Sequence, residues 1–243
     1  MRQLQAAGRV CKFIYLVPDF QNPTGTTIPQ ERRVEILKLA EKYGTLIVED
    51  SPYRQVRFEG QAPQTFYRLD QGRGNVLTLF TFSKVFVPGF RLGFVVGPAE
   101  IIHKFVILKQ AMDLCTAPVL QLATAAYLKG GHLLRHEEAV VNVYRKKRDF
   151  MLQMLAKYMP QCVKWTRPEG GLFLWVTLPE HIDTQAMLKT ALEQQVAYVA
   201  GVDFYPPRDA RRNDFRMNFS YSSFEQIEEG IKRLAKTIEK YLA

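Results

Sequence analysis

The sequence predicts an α/β protein whose first half carries a partial, mostly parallel sheet with flanking helices, followed by a smaller α+β part at the C-terminal end. Three observations carry this expectation. Residues 13–17 (FIYLV), 46–48 (LIV) and 76–80 (VLTLF) are short, nearly continuous apolar runs, the pattern of strands covered on both faces. A helical repeat between the first two makes a βαβ unit. Beyond residue 131 the order of elements changes, with strand and helix candidates that no longer alternate as βαβ units do.

Taken in order, residues 27–30 (TIPQ) read as a capping box that opens a helix carrying Val34, Leu37 and Ala40 on one face, and Gly44 closes it. The second strand ends in Glu49-Asp50, and an irregular stretch rich in Gly, Pro and Gln leads to the third. From Ala99 to about Tyr158 the spacing is helical, broken near residues 116–118 (TAP) and at Gly130-Gly131. Strand candidates follow at 172–176 (LFLWV), 196–199 (VAYV) and 216–219 (RMNF), with helices over about 184–195 and 224–242. The predicted organisation is therefore residues 1–130 as one domain and 131–243 as a second, small domain entered through a long helix.

With 243 residues and 47% hydrophobic content, the chain can bury a sizeable core, which excludes a disordered protein. Cys11, Cys115 and Cys162 are odd in number and far apart, so they form neither a disulfide framework nor a metal-ligand spacing; no metal is expected. They read as reduced thiols of a cytoplasmic protein. No apolar run approaches a bilayer span, and the first residues lack the apolar core of a secretory signal, so no membrane partner is expected. The net charge of +9 raises the question of nucleic acid. The main cluster, Arg145-Lys146-Lys147-Arg148, falls between Val140, Val141, Tyr144 and Met151 at helical spacing, which predicts a solvated helix face and no nucleic-acid partner.

In an open parallel sheet, ligands bind beyond the carboxyl ends of the strands. All three strands of the first half end there in polar, loop-forming sequence: 18–25 (PDFQNPTG), 49–53 (EDSPY) and 81–84 (TFSK). This predicts that Asn22, Asp50 and Lys84 share one crevice. Each residue alone has a plainer reading. Asn22-Pro23-Thr24-Gly25 is turn chemistry, Asp50 a helix cap or half of an ion pair, Tyr53 a core aromatic with a wet tip, and Lys84 and Arg91 solvated surface cations. The conjunction is what carries meaning.

Asn-Pro-Thr-Gly at 22–25, Asp-x-x-Tyr at 50–53, and Ser83-Lys84 followed by Pro88-Gly89-x-Arg91 resemble the ordered signature of class I and II aminotransferases with the type I pyridoxal-phosphate fold. Residues 13–25, 167–175 (RPEGGLFLW) and 216–221 (RMNFSY) are similar to the branch containing 2-aminoadipate and other broad-range amino acid aminotransferases. The resemblance implies an enzyme that uses pyridoxal 5'-phosphate to transfer an amino group from an α-amino acid to a 2-oxo acid. It also implies a homodimer, and it identifies residues 1–130 with the C-terminal part of the family's large cofactor-binding domain. Lys84 would bond covalently to the cofactor aldehyde and act as general base and acid. Asp50 would sit against the pyridine nitrogen, and Asn22 and Tyr53 against the phenolic oxygen. Thr81, Ser83 and Arg91 would hold the phosphate, and Arg216 the substrate α-carboxylate, with Asn22 also counted in the substrate site, an ion pair with Glu169 or Asp214 being the alternative for Arg216.

The family's chains are longer, and this one begins close to the strand leading to Asn22. The part absent from it supplies a phosphate-cradling turn, a ring-stacking aromatic residue and several sheet strands. The expectation is an incomplete sheet and cofactor pocket, in a fragment of a longer enzyme or in a chain that has lost catalysis. Val85-Phe86-Val87 and Ala200-Gly201 depart from the family's usual residues without touching any proposed polar contact. Two other functions share the signature: a cofactor-dependent lyase, decarboxylase or racemase, against which Arg216 is the marker, and an aminotransferase-like sensing domain of a transcription regulator.

Overall fold

The computed structural model describes residues 1–242, and packing divides the chain into two compact units. The first comprises Met1–Asp19, Thr27–Val56 and Gly60–Ala139; the second comprises Phe20–Thr26, Arg57–Glu59 and the chain from Val140 onward.

The first unit is α/β. After a short helix α1 (Arg2–Ala6), the elements run β1 (Phe13–Leu16), α2 (Gln30–Lys42), β2 (Leu46–Asp50), α3 (Phe66–Asp70), β3 (Val76–Thr81), β4 (Gly93–Val96), α4 (Ala99–Asp113) and α5 (Pro118–Lys129). The sheet order is β1-β2-β3-β4. Strands β1, β2 and β3 are parallel, with Leu16 opposite Glu49 and Asp50 opposite Leu79, so their carboxyl ends share one edge. The predicted mostly parallel sheet with flanking helices is what forms, with β4 added antiparallel to β3. That last strand escapes a pattern reading because it is four residues long and bounded by glycines. Gly93 is required there, since a Cβ on it would stand 2.5 Å from the Phe80 carbonyl oxygen.

One face of the sheet packs on α2 and α3 through Leu37, Ala40, Ile47, Phe66 and Val76, with Leu16, Ile36 and Leu69 at the margin. Burying each of the larger of these side chains stabilises the unit by about 1.5–3 kcal/mol. Glu49 points into the same face. Its carboxylate accepts the first amides of α3, Phe66 N–H at 3.0 Å and Tyr67 N–H at 3.1 Å, and the Thr78 hydroxyl at 3.1 Å. Burial raises its pKa above the usual carboxylate value, against those hydrogen bonds and the charge of Arg33. A five-residue helix is too short to be stable by propensity, so this buried acceptor explains why α3 forms inside a stretch read as irregular.

The start of α2 corrects the expected capping box. Pro29 occupies the cap position and no side chain caps the helix. Proline has no side-chain acceptor to offer, and the Gln30 side chain instead accepts the Gln64 N–H at 2.7 Å. Gly44 behaves as expected, closing the helix at φ +56°.

Helix α6 (His132–Tyr158) begins in the first unit and continues into the second, which holds β5 (Lys164–Trp165), β6 (Phe173–Thr177), α7 (Thr184–Glu193), β7 (Val199–Ala200), β8 (Asp214–Asn218) and α8 (Phe224–Leu242). These strands form an antiparallel sheet of order β5-β6-β8-β7, giving the expected α+β character. Its core contains Leu174, Val176, Met187, Ala191, Phe215, Ile227, Ile231, Leu234 and Ile238. Strand β7 is shorter than predicted because Gln195 turns left-handed at φ +60° and Val196 N–H still bonds the Ala191 carbonyl at 2.9 Å, leaving only the last residues to pair.

The basic run on α6 is a second correction. Lys146 is exposed, but Arg148 is only 4% exposed and is paired with Glu59 at 2.8 Å and Asp149 at 2.6 Å. It also donates to the Pro168 carbonyl and lies over the Phe58 ring. Arg145 donates to the Phe58 carbonyl at 3.0 Å and Lys147 to the Ser220 carbonyl at 2.9 Å. Three of the four cations are thus structural ties inside the second unit rather than a solvated face; each long side chain finds carbonyls that need a donor.

Candidate active site

Six of the predicted site residues lie in the first unit, at or just beyond the carboxyl ends of its parallel strands. Asp50 is the last residue of β2, and Thr81 the last of β3. The Tyr15 hydroxyl donates to Asp50 Oδ2 at 2.5 Å. Partial desolvation, then that hydrogen bond and the carboxylate charge, hold the phenol of the half-exposed Tyr15 protonated above its ordinary pKa. Tyr53 is buried at 6% exposure, and Lys84 Nζ stands 5.9 Å from the centre of its ring.

The residues after β3 form a second group. The Thr81 hydroxyl accepts the Ser83 N–H at 3.1 Å and donates to the Leu92 carbonyl at 3.3 Å. Ser83 Oγ accepts from Arg91 at 3.2 Å, and the same guanidinium donates to the Pro88 carbonyl at 3.0 Å. Arg91 itself adopts φ +55° after the 3₁₀ turn at Pro88–Phe90, which brings its side chain back toward Ser83. Hydroxyls and a planar, always charged guanidinium converging in this way form an anion-holding arrangement. Among the described residues no cluster of His, Cys, Asp or Glu could hold a metal ion, and the three cysteines are free.

Asn22 and Arg216 lie in the second unit, and it joins them: Arg216 donates to Asn22 Oδ1 at 2.6 Å. Arg216 sits on β8 opposite Trp175 of β6, with its guanidinium 4.4 Å from the Phe173 ring centre and 5.2 Å from that of Phe204. Aromatic faces on a guanidinium restrict its plane, which suits two-pronged recognition of a carboxylate. The two acids weighed as partners for Arg216 have others: Glu169 lies 3.5 Å from Arg57, and Asp214 accepts from Thr177 and Tyr205 at 2.6 and 2.7 Å.

The turn bearing Asn22 is built against the strand below it. Gln21 N–H bonds the Thr26 carbonyl at 2.9 Å and Gly25 N–H the Gln21 carbonyl at 2.6 Å. Gly25 has φ +70°, and a Cβ there would stand 2.6 Å from the Phe173 carbonyl oxygen. Gly25→Ala is therefore expected to destabilise the protein by about 1–3 kcal/mol, read as a lowered urea midpoint. An unchanged midpoint would contradict the close approach.

Three features of these groups escape the sequence reading. Tyr15 alternates with Ile14 and Leu16 on β1, but only the strand register brings it to Asp50. Phe204 carries no motif, and its place beside Arg216 is tertiary. The Asp19–Arg33 pair, at 2.8 Å and fully buried, joins residues with no sequence pattern between them.

The family model described as aminotransferase class I and II matches residues 2–234. The chain belongs to this family. Among its curated relatives, aromatic-amino-acid aminotransferase 1 of Thermococcus litoralis is 44% identical over 99% of this chain and 57% of its own length. The 2-aminoadipate transaminase of Thermus thermophilus is 37% identical over 96% of this chain and 58% of its own length. The crystal structure of Pyrococcus horikoshii kynurenine aminotransferase, in complex with PMP, KYN as substrates and KYA as products, superposes with a TM-score of 0.96 and 45% identity. It covers all of this chain, which spans 59% of that structure. The chain thus spans somewhat over half the length of these relatives, and the predicted α/β fold is that of its structural neighbours.

Proposed function

We propose that the protein catalyses pyridoxal-5'-phosphate-dependent transfer of an amino group from an α-amino acid to a 2-oxo acid. The observation that carries this reading is the placement of Asp50, Tyr53 and Lys84 together with the Thr81–Ser83–Arg91 group beyond the parallel strand ends of one unit. The donor set fits that cofactor: a primary amine for its aldehyde, a carboxylate for its ring nitrogen, and hydroxyls with a guanidinium for its phosphate.

Bound there, pyridoxal 5'-phosphate supplies an electron sink for the charge left when a bond to the substrate α-carbon breaks. The residues do the rest. Lys84 would hold the cofactor's aldehyde carbon through its amine and, when free, would take and return the proton of the substrate α-carbon. Asp50 would face the ring nitrogen, Asn22 and Tyr53 would donate to the phenolic oxygen, and Thr81, Ser83 and Arg91 would hold the phosphate. Arg216 takes the substrate α-carboxylate and so fixes which α-carbon bond is weakened.

In this reading residues 1–130 are the C-terminal part of the family's large cofactor-binding domain and residues 131–243 its small domain, and the whole protein is a cytoplasmic homodimer. Among the described residues no helix is long and apolar enough to cross a membrane.

The test is product analysis on the whole protein supplied with an amino acid and 2-oxoglutarate. Stoichiometric formation of glutamate and the new 2-oxo acid is the expected result. Release of ammonia or carbon dioxide without a new amino acid would replace transamination by elimination or decarboxylation. Arg216→Gln is expected to raise the KM for the amino acid by about 10- to 100-fold, as loss of a hydrogen-bonded charge pair does. The absorbance of the lysine-bound cofactor should persist in that variant, shifted only as far as Asn22, which Arg216 holds at 2.6 Å, loses its orientation toward the phenolic oxygen.

A further inference from the structure

We infer that Tyr15 is a positioning residue that fixes the orientation and charge of Asp50 toward the cofactor's ring nitrogen, an inference that rests on the role proposed above for Asp50. The geometry is set by the sheet. Tyr15 pairs with Val48 across β1 and β2, and residues two apart on a strand share a face, so Tyr15 and Asp50 project from the same side. Glu49 takes the opposite face, where its carboxylate is committed to α3 and Thr78. The Tyr15 hydroxyl donates to Asp50 Oδ2 at 2.5 Å, and both residues stand on paired strands rather than on a loop.

Two effects follow. A donor committed to Oδ2 fixes the carboxylate plane and leaves Oδ1 as the oxygen that addresses the ring nitrogen. The same hydrogen bond is donated to the carboxylate in its charged form, so Tyr15 would favour a negative charge facing the ring nitrogen and, with it, a proton on that nitrogen. Tyr15 remains a donor throughout, because its phenol is held protonated well above its ordinary range. Aspartate is the ring's partner in this reading, and Tyr15 acts only through it.

The experiment is nitrogen NMR of the whole protein loaded with cofactor labelled with ¹⁵N in the ring, beside fluorescence titration of the apoprotein with pyridoxal 5'-phosphate. The proteins compared are wild type, Tyr15→Phe, a version carrying 3-fluorotyrosine at position 15, and Asp50→Asn. Tyr15→Phe is expected to move the ring-nitrogen resonance part of the way toward unprotonated pyridine. It should also weaken cofactor binding about 10-fold, the lower end for a hydrogen bond to a charged group. The fluorinated phenol keeps the shape of tyrosine and is a stronger donor, so it should move the resonance in the opposite sense; it decides the matter if the phenylalanine variant fails to fold. Asp50→Asn should produce the largest displacement. A wild-type resonance and affinity in both Tyr15 proteins, with Asp50→Asn displaced, overturns the role of Tyr15 and leaves that of Asp50. A wild-type resonance in Asp50→Asn as well removes Asp50 from the ring nitrogen, and the inference falls with it.

Discussion

Lys84→Ala is expected to lower kcat by roughly 10²–10⁴-fold, the range a positioned proton-transfer group contributes, and to abolish the absorbance of lysine-bound cofactor. The expectation rests on where the amine stands. Lys84 follows β3 directly, in a turn pinned by Phe82 N–H to the Leu92 carbonyl at 3.1 Å and by Phe86 N–H to the Phe82 carbonyl at 2.9 Å. The next residue, Val85, is buried at 4% exposure and anchors that turn from below. Shortening Lys84 to Ala disturbs none of these ties, so the unfolding midpoint should move by no more than about 0.5 kcal/mol. Chemistry and stability are thereby separated in one variant. Phosphate binding through Thr81, Ser83 and Arg91 should persist, so the variant should still take up cofactor, now released by dialysis. Absorbance spectra before and after dialysis, with single-turnover kinetics, check each part. A spectrum and kcat equal to those of wild type would remove Lys84 from the chemistry.

The largest expected effect on stability comes from Arg33. It is fully buried in α2, as is Asp19, and the two meet at 2.8 Å. Its guanidinium also donates to the carbonyls of Ile28 at 2.9 Å, Gln64 at 3.1 Å and Pro18 at 3.2 Å. Removing one partner of a buried pair leaves an uncompensated charge, which costs about 3–5 kcal/mol. Arg54 also reaches Asp19, at 3.0 Å, and would retain part of the compensation, so Arg33→Ala should fall toward the lower end of that range. Arg33→Lys should recover little, because one ammonium cannot serve a carboxylate and three separated carbonyls as a planar fork does. Urea unfolding of the single variants and of Arg33→Ala combined with Asp19→Ala measures this. The double variant should cost less than the sum of the singles. A loss below about 1 kcal/mol in Arg33→Ala would contradict the clamp. Its structural consequence is local: Arg33 ties Pro18 and Asp19 to Ile28, the two ends of the sequence that carries Asn22.

Local pattern encodes much of this fold. Continuous apolar runs marked β1, β2 and β3, helical spacing marked α2 and α4 through α8, and Gly44 and Gly131 marked helix boundaries where the chain turns to positive φ. The motif residues were legible too, because Asn22, Asp50, Lys84 and Arg91 stand in short segments whose order survives without knowledge of the fold. Two short elements, α3 and β4, were not legible. Helix α3 depends on the carboxylate of Glu49, and β4 on a ladder to β3, neither of which lies in its own sequence.

Tertiary structure alone decided the rest. The charges of α6 read as a solvated face from periodicity, yet Arg148 is buried because Glu59 and the Pro168 carbonyl, distant in sequence, meet it. Strand register, which a one-residue slip would invert, set Tyr15 on the face of Asp50 and Arg216 beside Trp175. Periodicity reports which face of an element is apolar and says nothing of what that face meets. Pairings across a sheet or between an arginine and its acceptors are fixed only when the chain closes distant segments on one another, and that is where the partners of Asp50, Asn22 and Arg33 were chosen.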